Sequence, residues 1–449
     1  MSRCVGAILL GAALLLWPAY LNRYPIVFSD TGAFLAQTVV PLMIWDKPWI
    51  YGPFAWLFHQ HVSLWGTVAA QAVIVSHLVW LLARVLGRAA PGRHVAICAA
   101  LALFTTAPWS VALAMPDILS PVAVLCAALL GWGWDRLHRA ERAWLPLLGA
   151  VATASHLSNL PVIFALVVLA ALLRRWMAMA RVALPLLGAV VLLLATNWVG
   201  HGRLALSPHG ATFLLARLVA DGPAARTIAA RCPEARWYLC AFALNLQRDS
   251  DVFLWEPDSP VNRDPQGGPI FLGGARLSTE ASEIVAETLR REPLTVAVQA
   301  MANFARQLTL TRIGDVLAQY HVGGSVRPRL EEGFPAAELR AYDAALQQRD
   351  WLRVEARLVE SWHPALLLLA TPFALLALWR GWKAGDRRAT GLMLCLLVGV
   401  LGNALATGAL SKPHHRYQAR IAWLVPLAAV LLARRPSPGI PQADYRFKA

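Results

Sequence analysis

The chain has 449 residues, of which 57% are hydrophobic and only 15% charged. A water-soluble domain does not need that balance, so the composition reads as a membrane protein that crosses the bilayer many times. The formal net charge is +15, but the Arg residues cluster in short junctions between apolar runs, which reads as membrane topology and not as a nucleic-acid footprint.

The expected fold is an all-α polytopic membrane protein. Apolar stretches suited to crossing run over 4–21, 62–83, 95–114, 117–133, 144–157, 159–173, 182–199, 363–379, 389–410 and 419–434, which makes about ten transmembrane helices. Several are shorter than the ~20 residues that span a bilayer upright. The run over 143–173 reads either as two short helices or as one kinked helix. The first run follows Arg3 and shows no clean small-residue cleavage site before Trp17-Pro18, so it is kept as a helix and not as a signal peptide.

Alternating sides brings Arg3, Arg84/Arg88/Arg93, Arg136/Arg139/Arg142, Arg174/Arg175/Arg181, Arg380/Lys383/Arg387/Arg388 and Arg434/Arg435 together. The side rich in Arg and Lys is expected to be cytoplasmic. Both termini then lie inside a bacterial inner membrane, and the hairpin reading of 143–173 keeps the parity consistent. The outer side receives 22–61, the tips at 115–121 and 155–159, the long segment 200–362, and 411–418.

The chain therefore divides into an N-terminal bundle with outer loops (1–199), a mostly helical periplasmic domain (200–362), the last three helices (363–434) and a cytoplasmic tail (435–449). Within the long segment, 336–359 reads as a polar helix and 249–274 as an irregular loop rich in Pro, Gly, Asp and Asn. Residues 294–310 carry few charges and read as a helix on the membrane surface. No internal repeat is visible. Cys4, Cys98, Cys126 and Cys395 fall in apolar runs, whereas Cys232 and Cys240 fall in the segment expected outside, in an oxidising space, and are expected to pair as a disulfide.

The polar strings Ser29-Asp30-Thr31, Trp49-Ile50-Tyr51-Gly52, Pro116-Asp117, Ser155-His156-Leu157-Ser158-Asn159 and Lys412-Pro413-His414-His415-Arg416-Tyr417 all fall on the outer side. Acidic groups at membrane depth are costly and point to function. Two carboxylates, histidines and a basic cluster at one membrane face suit an anionic head group and a proton transfer. On this reading Asp30, Asp117 and His156 are the catalytic candidates, while Tyr51, Lys412, His414, His415, Arg416 and Arg420 are the substrate-binding candidates.

Plainer roles are open for each. Asp30 and Asp117 also fit helix caps, His156 fits a hydrogen-bonded interfacial histidine, and Lys412 and Arg416 fit lipid-phosphate anchors. Asp30 and Asp117 together with water could hold a divalent cation. The His414-His415 pair does not make a closed zinc site. No Walker loop, no G-x-S-x-G elbow and no H-E-x-x-H occurs in the sequence.

An acid in the first outer loop, a second acid at the next outer tip, many helices and an outer domain between late helices resemble the GT-C superfamily of integral membrane glycosyltransferases. The match carries over onto Asp30 and Asp117, with the cluster 412–420 standing where basic residues meet the donor phosphate. The chain departs from the commoner pattern because Thr31, not a second acid, follows Asp30. The resemblance implies transfer of a sugar from a polyprenyl-phosphate donor to an envelope acceptor at the outer face, without a nucleotide or a nucleic-acid partner. Ser-Asp-Thr-Gly near the start and His-Arg-Tyr-Gln near the end also resemble bacterial membrane proteins of unassigned function. Two further readings stand beside the transferase: a transporter or flippase of a lipid-linked or anionic solute, and a non-catalytic envelope assembly protein.

Overall fold

A computed structural model describes residues 2–319 and 322–432, so Arg434, Arg435 and the tail 435–449 lie outside the described residues. The regular structure is helical throughout, and among the described residues the β-pairing is confined to two isolated bridges. Four helices are long and apolar enough to cross a membrane: Trp65–Val85, Trp176–His201, Trp362–Lys383 and Arg387–Leu410. The other apolar runs form shorter helices.

Proline explains several of the breaks. Trp17-Pro18 divides the first run into Ser2–Leu15 and Trp17–Asn22, and Pro108 opens Ala107–Ala112 after Pro91–Phe104 has ended. A ring that cannot donate an N–H fits a first turn, whereas in a helix interior, as at Pro146, Pro185 and Pro372, it removes a backbone hydrogen bond. Residues 143–173 form two helices, Arg139–Ala154 and Asn159–Leu172, separated by a turn at 155–158.

Leu119–Trp132 lies at the centre. Nearly all of its side chains are buried, and it packs against Trp65–Val85, Arg139–Ala154, Trp176–His201 and Arg387–Leu410. A helix that is apolar all round is expected in such a position.

The segment 200–362 splits in its packing. Helices within 210–291 close a small core of their own around Leu215, Val219, Ile228, Leu239, Phe253 and Ile284, beside which Cys232 and Cys240 are joined as a disulfide with a Cα–Cα distance of 5.4 Å. Ile313, Leu317, Val326, Leu330, Tyr342 and Leu352 instead belong to the same core as the N-terminal helices. The helix expected over 336–359 is interrupted: Ala336–Asp343 and Trp351–Glu360 flank a 3-10 turn, Leu346–Arg349, and the left-handed Asp350 (φ +57°).

That second part grips the loop after the first helices. Glu338 accepts from the Tyr24 hydroxyl at 2.6 Å and from the Leu64 N–H at 2.9 Å. Gln347 donates its N–H to Asn22 Oδ1 at 2.8 Å, and its side chain pairs with both backbone groups of Val27 at 3.1 and 2.7 Å. Buried polar groups satisfied in this way fix a single register.

Candidate functional site

Asp30 and Asp117 are brought to one place by backbone pairing. The Ile26 N–H donates to the Ala112 carbonyl at 2.9 Å and the Ala114 N–H donates to the Ile26 carbonyl at 2.8 Å, so the two chain segments run side by side just before each aspartate.

The Ser-Asp-Thr-Gly string follows at the start of helix Ser29–Val39, and each of its residues has a physical role. The Ser29 carbonyl accepts from Ser325 Oγ at 2.8 Å. Thr31 Oγ1 accepts from the Phe28 N–H at 3.0 Å and donates to the Ala114 carbonyl at 3.2 Å. At Gly32 a Cβ would lie 2.1 Å from the Ser325 carbonyl oxygen, a contact that no side chain permits. Asp30 is left to face the site from the first turn, where the helix dipole favours a negative charge.

Neither aspartate is a helix cap. Phe28 stands at the cap position of Ser29–Val39, and Asp117 lies inside the 3-10 turn Pro116–Ile118. Their carboxylates turn to cations instead. Asp30 Oδ1 is 3.1 Å from Lys47 Nζ, and Asp30 Oδ2 is 3.4 Å from Arg416 Nη1. Asp117 Oδ1 lies 3.8 Å from Arg416 Nε and 3.5 Å from Arg420 Nη1. Asp46 also pairs with Lys47.

Burial by itself would raise the Asp30 carboxyl, but Lys47 and then Arg416 outweigh it and hold the group down at about 2. Lys47 is in turn kept protonated well above its usual range by Asp30 and Asp46, against its own burial.

Arg416 is the hub. It opens helix His415–Ala422, and its guanidinium lies over the rings of Phe28 and Tyr417 at 4.5 and 5.1 Å from the centroids. Arg420, one turn on, donates from Nη2 to Ser158 Oγ and to Asn403 Oδ1, both at 3.0 Å. Asn403 Nδ2 donates to Gln418 Oε1 at 2.9 Å and to the Tyr417 carbonyl at 2.7 Å. Asp117 Oδ1, Arg420 Nε and Arg420 Nη1 are buried without a hydrogen bond to any described residue. His156 joins the edge of the site: its Nδ1 shares a hydrogen bond with Ser158 Oγ at 2.8 Å and its ring is 6.1 Å from that of Tyr417.

Other candidates lie elsewhere. Lys412 meets Asp249 at 2.7 Å and Asp251 at 3.1 Å, so its partners are these aspartates and not Asp30 or Asp117. His414 Nε2 is 3.0 Å from Asp251 Oδ2, and His415 Nδ1 accepts from the Arg312 N–H at 3.1 Å. Tyr51 is buried against Phe34 with its hydroxyl donating to Gln71 Oε1 at 2.7 Å, which leaves no ring face for a sugar. Lys47, which the sequence reading passed over, is in the site. Its signal was the Asp46-Lys47 pair in an otherwise sparsely charged outer loop.

A divalent cation does not fit this donor set. Asp30 and Asp117 already face an ammonium and two guanidinium groups, and no group of three or more His, Cys, Asp or Glu that could hold a metal ion occurs among the described residues.

No protein-family model matches the chain, and no curated protein or solved structure matches it. The GT-C resemblance therefore stands on Asp30, Asp117 and the helical architecture alone.

Proposed function

We propose that the chain is an integral membrane glycosyltransferase with about ten crossings, which moves a sugar from a polyprenyl-phosphate donor to an envelope acceptor on the outer face of the bacterial inner membrane. The observation that carries this reading is the convergence of Lys47, Arg416 and Arg420 on Asp30 and Asp117, with Arg420 Nε and Nη1 still unfilled. Guanidinium groups with free N–H donors suit the non-bridging oxygens of a phosphate.

Asp30 held at about 2 is too weak a base for a hydroxyl. A donor phosphate that takes Lys47 and Arg416 relieves this. Once the cations turn to the phosphate, the Asp30 carboxylate regains ordinary basicity in the same place, and proton acceptance is coupled to donor binding. The acceptor oxygen attacks the anomeric carbon as Asp30 takes its proton. The bond from that carbon to the phosphate oxygen breaks, and the lipid phosphate leaves with the electron pair, stabilised by Arg416 and Arg420. Asp117 holds both guanidinium groups in position, and His156 braces the turn that carries Ser158.

The test is Asp30→Asn in native membranes, assayed for sugar transfer from a panel of polyprenyl-phosphate sugars. The variant is expected to accumulate normally and to lose ~10²- to 10⁴-fold in turnover. Arg416→Ala is expected to weaken donor binding. Full transfer by Asp30→Asn would overturn the assignment.

A further inference from the structure

The helix Pro293–Thr309 is turned inside out for an aqueous surface. Its two buried residues, Asn303 and Gln307, are both polar. Asn303 Nδ2 donates to the Asp221 carboxylate at 3.0 Å, while Gln307 donates to the His414 carbonyl at 2.7 Å and accepts from the His414 N–H at 3.0 Å. Its outward side carries Leu294, Ala297, Val298, Met301, Ala302 and Ala305, all exposed, with Leu294, Val298 and Met301 at 80%, 66% and 53%. A helix bathed in water shows the opposite arrangement, apolar in and polar out. An apolar surround makes the observed one favourable, because hydrocarbon accepts the aliphatic stripe and leaves the amides to find partners inside the protein.

The neighbourhood points to the same surround. The helix lies along Arg387–Leu410, one of the four long apolar helices, so closely that a Cβ at Gly408 would lie 2.8 Å from the Asn303 carbonyl oxygen. Leu401 and Leu405 of that neighbour are exposed as well, so both of the packed helices carry exposed apolar side chains. Exposed arginines bracket the stripe, with Arg290 and Arg291 before it and Arg306 near its end. From Pro293 to Arg306 the helix rises about 20 Å at 1.5 Å per residue, short of the ~30 Å hydrocarbon core.

We infer that Pro293–Thr309 is a lipid-embedded element that enters one leaflet without crossing. Its outward stripe contacts acyl chains, and Arg290, Arg291 and Arg306 reach the phosphate head groups. The segment 200–362 is on this account pinned to the bilayer in its middle as well as at its ends.

The experiment uses the full chain in phospholipid vesicles, on a Cys4→Ser background because the other three free thiols are buried. Met301→Cys and Gln266→Cys, the second in an exposed loop, are each labelled with an environment-sensitive fluorophore. Quenching by nitroxide-bearing lipid is expected to be several-fold stronger at 301 than at 266, with iodide quenching in the reverse order. Equal iodide quenching at the two positions would overturn the inference. So would protection of position 301 from both quenchers, which would assign the stripe to contact with protein, including a second copy of the chain.

Discussion

Lys412 and Arg420 stand at the two ends of one short stretch and both meet aspartates, in very different surroundings. The Lys412 and Asp249 side chains are 30% and 42% exposed, whereas those of Arg420 and Asp117 are 1% and 3% exposed. The exposed pair is made at good hydrogen-bonding distances and ties the unit around Phe253 to the loop that leads into Arg416. Solvent screens it, and the entropy of two mobile side chains opposes it, so it guides docking more than it stabilises. The buried pair has poorer geometry and unfilled donors, an arrangement in which desolvation outweighs the attraction. Stability does not explain keeping such a pair. A ligand that completes its hydrogen bonds does.

The sharpest way to break this contrast is Arg420→Met, which strands the Asp117 carboxylate in a buried place with Arg416 alone nearby. A loss of about 3–5 kcal/mol is expected from removing one partner of a buried pair, measured as a fall in thermal midpoint in detergent. The double variant Asp117→Leu/Arg420→Met is expected to recover most of that loss. Failure to recover would mean that the cost lies in packing and not in charge.

Acid titration comes next. Asp30, depressed to about 2 in the folded protein, binds its proton more readily when unfolded. The ordinary carboxylate value near 3.9 sets the upper edge of the window. Its contribution, on the order of 2 kcal/mol, is therefore complete above pH ~4 and fades as pH falls through ~2. Stability of the wild type measured between pH 5 and 2 should drop more steeply than that of Asp30→Asn. Parallel curves would mean that Lys47 and Arg416 do not hold the carboxylate as described.

The smallest effect is expected for Lys412→Ala, below ~1 kcal/mol and shrinking further with added salt. A loss as large as that of Arg420→Met, unchanged by salt, would erase the difference between the two clusters.

Much of this was readable from residue order. The apolar runs 62–83, 182–199, 363–379 and 389–410 became the four long helices, because about twenty apolar residues without a break have no other economical conformation in lipid. Cys232 and Cys240 stood close together in the one segment where a bridge was expected, and they are joined. The shared location of Asp30, Asp117 and Arg416 was inferred from topology, since residues at the same membrane face have few places to go, whereas Lys412, His414 and His415 of the same cluster turn to other partners.

What could not be read was which cation faces which acid. Lys412 and Lys47 are equally plausible from composition, and the choice depends on a loop that carries Trp45 onto Phe213 and Trp255, and so brings Lys47 to Asp30. Tyr51 reads as a substrate-binding candidate in the sequence because its burial comes from Phe34 and Gln71, the latter many residues away in sequence. The division of 200–362 was equally hidden, since Glu338 and Gln347 look like ordinary polar residues until they meet Tyr24, Asn22 and Val27.

The sequence by itself thus determined that the chain is helical, that it carries spans suited to a membrane, and where its unusual acids and bases lie along it. These follow from local composition, because hydrocarbon demands internally satisfied backbone whatever the tertiary partners. Tertiary structure alone decided that Asp30 and Asp117 serve as partners of Lys47, Arg416 and Arg420 and not as helix caps. It also decided that Pro293–Thr309 turns its amides inward. Pairings over such separations depend on how whole helices pack, and no short window of residues records that.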